Sequence, residues 1–222
     1  MHELEIKELS YRYPDAKKDE YVLKDLNMSF DKGKIYAIKG KSGSGKTTLL
    51  SLISGLEKKY SGEILYQDKL LKKMDLDKYR NTDIGIVFQS YNLLPQFTAE
   101  ENIILSMDIN NLKNVNKKDK VLELMKSVGL DEKLAKRRVL KLSGGEQQRI
   151  AIARSLSYNP NIILADEPTG NLDKDTEDEI MKIFIDLAHK ENKCVIIVTH
   201  SKNVSDKVDK VYELKKVKEG DL

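Results

Sequence analysis

The sequence predicts an α/β fold with a mostly parallel core sheet, an antiparallel β subdomain and a helical subdomain. Four short runs are almost wholly apolar and β-branched, as strands covered on both faces must be, and helical segments separate them. Near the N-terminus, apolar and polar residues alternate instead, which is typical of antiparallel strands with one solvated face. At 222 residues the chain is long enough for one domain, and we expect it to span residues 1–222.

The strands fall into two groups along the chain. The alternating ones contain Leu4 and Ile6, then Leu26, Met28 and Phe30, and finally Ile64 and Tyr66, which extend the same sheet. The buried ones are predicted at Ile35–Ile38, Ile84–Phe88, Ile162–Ala165 and Val195–Val198. Because helices lie between the buried runs, a parallel sheet is favoured for them.

Apolar spacing predicts three helices. The first covers Thr48–Leu56, with Leu56 on its apolar face, and the second carries Val121, Leu124, Met125 and Val128 and stops at Gly129. The third carries Ile180, Ile183, Phe184 and Leu187 and is expected to open with a capping box of Thr176 and Glu179. Residues from about 90 to 142 contain no strand-like run, so we predict a helical subdomain there.

The bulk composition excludes several classes of protein. The net charge of +3 is the difference between 39 basic and 36 acidic residues, so no nucleic-acid partner is expected. The single cysteine, Cys194, lies in an apolar run and is expected to be a buried thiol in a reducing cytosol. No apolar run is long enough to span a membrane, and Met1–Glu5 does not resemble a signal peptide. Residues 215–220 are expected to form a solvated tail.

A glycine-rich loop follows the strand predicted at Ile35–Ile38. Its sequence is Gly40-Lys41-Ser42-Gly43-Ser44-Gly45-Lys46-Thr47, which matches the phosphate-binding pattern G-x-x-x-x-G-K-[ST]. Glycines let the backbone curl so that successive N–H groups and the helix N-terminus face phosphate oxygens. Lys46 can reach the β- and γ-phosphates, and the hydroxyl of Thr47 can bind Mg²⁺. This loop predicts a nucleoside triphosphate site.

Polar side chains follow three other buried strands. Asp166 and Glu167 end one strand, His200 ends another and Gln89 closes a third. The carboxyl edge of an open α/β sheet is where ligands bind. We expect Asp166 and the amide of Gln89 to hold Mg²⁺, Glu167 to deprotonate an attacking water, and His200 to contact that water or a γ-phosphate.

A second glycine-rich loop, Ser143-Gly144-Gly145-Glu146, opens a helix whose apolar side includes Ile150, Ala153 and Leu156. By itself it is a helix N-terminus able to bind an anion. One nucleotide requires only one such loop. Two in one chain indicate a nucleotide shared with another copy of the same chain.

The motifs in this order resemble the nucleotide-binding subunit of ABC transporters. The runs that carry the resemblance are Leu142-Ser143-Gly144-Gly145-Glu146-Gln147-Gln148-Arg149, then Asp166-Glu167-Pro168-Thr169-Gly170-Asn171-Leu172-Asp173, and then His200. In that family Gly40–Thr48 corresponds to Walker A, Gln89 to the Q-loop, Leu142–Gln147 to the signature, Asp166 and Glu167 to the end of Walker B, Asn171-Leu172-Asp173 to the D-loop, and His200 to the switch histidine. Tyr13 corresponds to the aromatic residue that stacks on adenine, with Tyr11 as the alternative.

The resemblance implies ATP and Mg²⁺ as cofactors, and a head-to-tail homodimer that holds two ATP between Walker A of one subunit and the signature of the other. It also implies ATP hydrolysis coupled to transport, a separate membrane permease contacted around Gln89–Gln96, and a cytoplasmic location on the inner face of the membrane. Phe88–Pro95 and the other motifs look most like the lipoprotein-release, macrolide-export and antimicrobial-peptide-resistance branch, which favours export.

The family leaves two alternatives open. One is a regulatory ATPase that signals through a membrane partner without transport. The other is a soluble ATPase of DNA repair or translation, which the single cassette and the short segment between the two loops disfavour. Ser201 departs from the acidic residue that many relatives carry after the switch histidine.

Overall fold

The computed structural model describes residues 2–16, 20–113 and 115–217, so residues 218–220 of the expected tail lie outside it. The strands are β1 (Leu4–Tyr11), β2 (Leu23–Phe30), β3 (Ile35–Lys39), β4 (Ser61–Tyr66), β5 (Lys69–Leu70), β6 (Ile84–Val87), β7 (Ile162–Asp166), β8 (Cys194–Thr199) and β9 (Lys210–Glu213). The helices are α1 (Lys46–Ile53), α2 (Leu76–Thr82), α3 (Ala99–Ile109), α4 (Lys117–Ser127), α5 (Gly144–Leu156), α6 (Lys174–His189) and α7 (Lys202–Ser205), and short 3₁₀ turns lie at Leu71–Lys73, Glu132–Leu134 and Val139–Lys141.

The core sheet has five strands in the order β6-β7-β8-β3-β9. Each neighbouring pair is parallel, so the carboxyl ends of all five strands meet at one edge. The four strands predicted from apolar runs are all present. The sequence did not reveal β9, because its residues are polar or half-exposed and it lies at the sheet edge.

The second sheet is antiparallel, in the order β2-β1-β4-β5, as the alternating pattern predicts. One of its faces is buried: Leu4, Phe30 and Ile64 are each 0% exposed and belong to the same core cluster as Leu49 and Ile53 of α1. This packing joins the antiparallel sheet to the helix that follows the first glycine-rich loop. The α/β fold class is confirmed.

The segment from about 90 to 142 contains α3, α4 and two 3₁₀ turns. Its described residues include one isolated β-bridge, Thr98 to Arg138, and no strand. Ile103, Met107 and Met125 are buried in one cluster with Ile150 of α5. The helical segment is therefore anchored through α5, the helix that begins with the second loop.

Three predictions at element ends are wrong. Helix α1 ends at Ile53, and Leu56 is 61% exposed because Gly55 turns the chain in the left-handed region at φ 70°. Strand β6 ends at Val87, one residue before Phe88.

The third correction concerns the start of α6. Its N-cap is Asp173, whose carboxylate accepts a hydrogen bond from the Thr176 N–H at 3.0 Å. Glu179 is ion-paired with Arg149 instead of closing a capping box. An ionised carboxylate at the N-cap satisfies the free N–H groups and complements the helix dipole, so the helix starts earlier than Thr176.

Burial of Cys194 is as expected. It is 0% exposed, and desolvation raises the pKa of its thiol. Within the described ranges no helix is long and apolar enough to cross a membrane.

Candidate functional site

The first loop connects β3 to α1 at the carboxyl edge of the core sheet. Gly43 and Gly45 have φ of 75° and 89°, so side chains at these positions would be strained. Gly45 is also the N-cap of α1, and with no side chain there the first turn is left for an external acceptor. A Cβ on Gly40 would lie 2.4 Å from Ser44 Oγ and 2.6 Å from the Leu214 carbonyl oxygen. The loop is therefore a tight backbone cradle.

The polar atoms inside this cradle suit an anion. Lys46 Nζ donates to the carbonyl oxygens of Gly40 and Lys41 at 2.8 and 3.1 Å, so its cation lies within the curl of the loop. Ser44 Oγ is buried without a hydrogen-bond partner among the described residues. A buried hydroxyl without a partner requires an explanation, and a phosphate oxygen supplies one. Lys41 and Ser42 are exposed at the mouth of the loop.

Thr47 and Asp166 are brought together from α1 and β7. Thr47 Oγ1 donates to Asp166 Oδ2 at 3.3 Å. Burial raises the pKa of Asp166, the Thr47 hydrogen bond opposes that rise, and the charge of Glu167 adds to it. One hydroxyl and one carboxylate beside a phosphate cradle fit Mg²⁺, which usually takes one or two protein oxygens and completes its shell with phosphate oxygens and water. The described residues contain no group of three or more His, Cys, Asp or Glu that could hold a metal ion.

Glu167 and His200 form a direct pair next to this point. His200 Nδ1 lies 2.8 Å from Glu167 Oε1, and the His200 backbone N–H donates to Glu167 Oε2 at 3.3 Å. The carboxylate is 14% exposed, whereas the imidazole is 71% exposed. Glu167 has φ 46°, an unfavourable conformation for a residue with a side chain. Strain of this kind persists only where the surroundings hold it, and it is concentrated at functional sites.

Gln89 lies close to Gly170, three residues after Glu167. It is exposed after β6, and a Cβ built on Gly170 would lie 3.1 Å from its Nε2. Gly170 immediately precedes the segment Asn171-Leu172-Asp173, in which Asn171 and Asp173 are exposed and Leu172 is half-buried. Its role as a metal ligand stays a prediction.

The two candidate tyrosines differ in accessibility. Tyr11 ends β1 and is 4% exposed, with its hydroxyl 3.5 Å from Glu57. Tyr13 lies beyond the strand, is 48% exposed, and its hydroxyl is 2.9 Å from Thr48 Oγ1 beside the first loop. The two rings meet edge to face at 5.3 Å. Because Tyr11 is buried and Tyr13 is exposed, Tyr13 is the one available to a ligand.

The second loop opens α5 and closes its own hydrogen bonds. The Glu146 N–H donates to Ser143 Oγ at 3.3 Å, and the Ser143 N–H donates to a Glu146 carboxylate oxygen at 2.7 Å. A Cβ on Gly145 would lie 2.6 Å from Thr176 Cγ2, and one on Gly144 would lie 3.0 Å from the Tyr91 hydroxyl.

A cleft of about 310 Å³ lies in front of the second loop, between Ser143–Glu146 and Asn171–Asp173. Its lining includes none of the residues of the first loop. The two loops of one chain therefore face separate spaces.

Three further contacts at the site were not apparent in the sequence. They are the Leu214 carbonyl against Gly40, the Thr176 methyl against Gly145, and Arg154 beneath Tyr91. Each depends on residues far apart in the chain, and no motif marks them.

Known proteins resemble this chain over most of its length. Residues 23–170 match the ABC transporter family. The uncharacterized ABC transporter ATP-binding protein YclH of Bacillus subtilis (strain 168) is 48% identical over 202 residues, which are 91% of this chain and 88% of the relative. The lipoprotein-releasing system ATP-binding protein LolD of Francisella tularensis subsp. tularensis (strain FSC 198) is 41% identical over 217 residues, 95% of this chain and 93% of the relative.

Among solved structures, the dimeric post-hydrolysis state of the ATP-binding cassette MJ0796 bound to ADP and Pi matches with a TM-score of 0.86. It is 35% identical in sequence, and 97% of both chains is covered. The chain belongs to the ABC transporter family, and it is an ATP-binding subunit of the ABC ATPase type. The resemblance to the lipoprotein-release branch is also confirmed.

Proposed function

We propose that this chain hydrolyses ATP as one half of a head-to-tail homodimer. Two ATP molecules are held, each by Gly40–Thr48 of one subunit and Ser143–Glu146 of the other. The observation that carries the proposal is that the two loops of one chain face separate spaces, and that the first alone has Lys46, Asp166, Glu167 and His200 beside it. The dimeric cassette bound to ADP and Pi supports the same arrangement by similarity.

In this proposal each part of the nucleotide is held by different residues of the chain. The backbone N–H groups of the first loop and the start of α1 hold the phosphates, and Lys46 leaves its carbonyl acceptors for the β- and γ-phosphate oxygens. Tyr13 stacks on adenine. Thr47, Asp166 and Gln89 would hold Mg²⁺, which supplies charge neutralisation at the phosphates when bound.

Glu167 acts as the general base in the hydrolytic step. It accepts a proton from the water whose oxygen attacks the γ-phosphorus, and the bridging oxygen departs with ADP. His200 orients the Glu167 carboxylate through the 2.8 Å contact, and its exposed imidazole contacts the γ-phosphate. Asn171-Leu172-Asp173 borders the cleft of the second loop and meets the partner subunit there.

We further propose that hydrolysis drives a separate membrane permease in the export or extraction of lipid, peptide or drug-like substrates. The relatives named for lipoprotein release support this, and the exposed segment after Gln89 is the surface that would contact the permease. The chain would then lie on the cytoplasmic face of the membrane, held there by its partner.

The Glu167→Gln variant tests the shared site. Removing the base should lower kcat by about 10²–10⁴-fold while leaving ATP binding intact, because the first loop is untouched. The variant should therefore accumulate as an ATP-bound dimer in gel filtration with ATP and Mg²⁺. Glu123→Gln, an exposed carboxylate on α4, is the matched control and should stay active. A Glu167→Gln protein that binds ATP yet remains monomeric would contradict the head-to-tail model.

A further inference from the structure

The turn after Gln89 has a conformation that its own residues do not favour. Tyr91 and Asn92 are consecutive, and both lie in the left-handed region, at φ 59° and 49°. Residues with side chains adopt this region rarely, and two in succession persist only when their surroundings hold them. The turn therefore needs a clamp.

Arg154, in the last turn of α5, supplies that clamp. Its guanidinium donates to the Tyr91 carbonyl oxygen at 3.0 Å through Nη2, and to the Asn92 carbonyl oxygen through Nη1. Burial lowers the pKa of Arg154, and in the described parts of the chain no carboxylate pairs with it. An arginine remains charged even so, and the two carbonyls are the acceptors for its fork of donors.

The same turn touches α5 at its opposite end. The Tyr91 hydroxyl lies 3.0 Å from the position that a Cβ on Gly144 would take. Gly144 is the first residue of α5 and belongs to the second loop. The turn thus contacts α5 through its carbonyls at Arg154 and through its side chain at Gly144.

We propose that Arg154 is a positioning residue that holds the Tyr91–Asn92 turn in register with the second loop, so that Gln89 and Ser143–Glu146 move together. The inference rests on the proposed function, because it makes capture of the partner's ATP depend on a turn that lies within the proposed permease surface. Arg154 acts through the turn and does not itself contact nucleotide.

Arg154→Lys tests this role, since lysine keeps the charge but cannot present two parallel donors to both carbonyls. Arg80→Lys is the matched control, because Arg80 Nη1 also donates to a backbone carbonyl, that of Gly55 at 2.7 Å, away from the turn. In nucleotide-free protein, exchange of the hydrogen-bonded amides of Tyr91, Asn92, Glu146 and Gln147 should rise about tenfold in Arg154→Lys, the factor for one lost hydrogen bond to a charged group. Arg80→Lys should leave those amides unchanged.

A second measurement separates positioning from nucleotide binding. In a Glu167→Gln background, Arg154→Lys should raise the ATP concentration for half-maximal dimerisation about tenfold, while the affinity of the monomer for a fluorescent ATP analogue changes less than about twofold. Unchanged exchange at Glu146 and Gln147 would overturn the proposal, and so would an increase that extends equally to β7, which would indicate general loss of the fold. The exchange experiment needs no dimer, so it still decides the point if Glu167→Gln stays monomeric.

Discussion

The two glycine-rich loops both begin helices, yet they are built differently. At the first, the N-cap is Gly45, which leaves backbone donors free, and a lysine and a buried serine hydroxyl lie within the curl. At the second, Ser143 and Glu146 satisfy each other's backbone N–H groups in a capping box. The N–H groups that begin α1 have no side-chain acceptor, whereas the capping box supplies acceptors at the start of α5. The first loop is therefore better suited to bind an anionic ligand.

The surroundings of the two loops differ as well. The first lies at the edge where β3, β7 and β8 end, and those strands bring Asp166, Glu167 and His200 to it. The second lies against Thr176 of α6 and Tyr91, and neither Glu167 nor His200 lines its cleft. A chain with this division carries one nearly complete half-site and one complementary surface, and it should hydrolyse ATP poorly alone.

The largest expected effect comes from disabling the first loop. Lys46→Met removes the cation that lies between the Gly40 and Lys41 carbonyls, and it should lower ATPase activity by about 10²–10³-fold. Binding of a fluorescent ATP analogue should weaken in parallel. Lys59→Met, on the surface after α1, should behave as the unmodified protein. Undiminished binding in Lys46→Met would remove the distinction between the two loops.

A smaller and more selective effect is expected at the second loop. In Gly145→Ala the new methyl would meet Thr176 Cγ2 at 2.6 Å, a clash that costs about 1–3 kcal/mol. Dimerisation should then need at least about tenfold more ATP, whereas binding of ATP to the monomer should not change.

The matching rescue is Thr176→Ser, which deletes Cγ2 but keeps the 2.8 Å hydrogen bond from the hydroxyl to Asp173. The Gly145→Ala/Thr176→Ser double variant should recover most of the lost dimerisation, and Thr176→Ser alone should be nearly neutral. If the double variant were no better than Gly145→Ala, the contact with α6 would not be what positions the second loop.

The smallest expected effect is a change in stability at Asp166, the residue proposed to hold Mg²⁺ beside the first loop. Burial raises the folded-state pKa of Asp166 above 3.8, so at neutral pH its charge destabilises the nucleotide-free protein, and this penalty disappears as pH falls through that raised pKa. Asp166→Asn should therefore raise Tm by about 1–3 °C at neutral pH, and the gain should shrink towards pH 4. The same variant should lose Mg²⁺-dependent ATPase activity.

The charge of Asp173 is expected to have the opposite effect on stability. Hydrogen bonds from the Thr176 N–H and hydroxyl lower the pKa of the Asp173 carboxyl group. Its charge therefore stabilises the fold above pH 3.8, and that stabilisation is lost as the pH falls through the lowered pKa. Asp173→Ala should lower Tm at neutral pH. Thermal denaturation of both variants from about pH 3 to pH 8 measures the contrast, and a fall in Tm for Asp166→Asn at neutral pH would contradict the assigned desolvation.

The parts of the fold that the sequence predicted are those with local, repeated signals. Apolar runs located β3, β6, β7 and β8, and alternation located β1, β2 and β4. Predictions failed where two residues competed to cap a helix, where a helix ended, and where a strand lay at the edge of a sheet. At α6, Asp173 displaced Thr176 as the cap, and after α1 the turn at Gly55 left Leu56 exposed. The sequence did not predict strand β9, because a polar strand at the edge of a sheet contains no apolar run.

The sequence by itself determined the class of chemistry at the first loop. Its glycines, Lys46 and Thr47 are close in the chain, so local backbone geometry is enough to bring their donors to one phosphate. The family and the α/β fold class were likewise predicted from motifs and hydrophobic patterns that each span only a few residues.

Tertiary structure alone decided how distant residues meet. Only the order of parallel strands brings Glu167 against His200 and Thr47 against Asp166, and only the packing of α5 on α6 and on the turn after Gln89 sets Gly145 against Thr176 and Arg154 against Tyr91. These contacts join residues far apart in the chain, and no local pattern specifies which of many buried surfaces will pack together. For the same reason the separation of the two loops became apparent only in the folded chain.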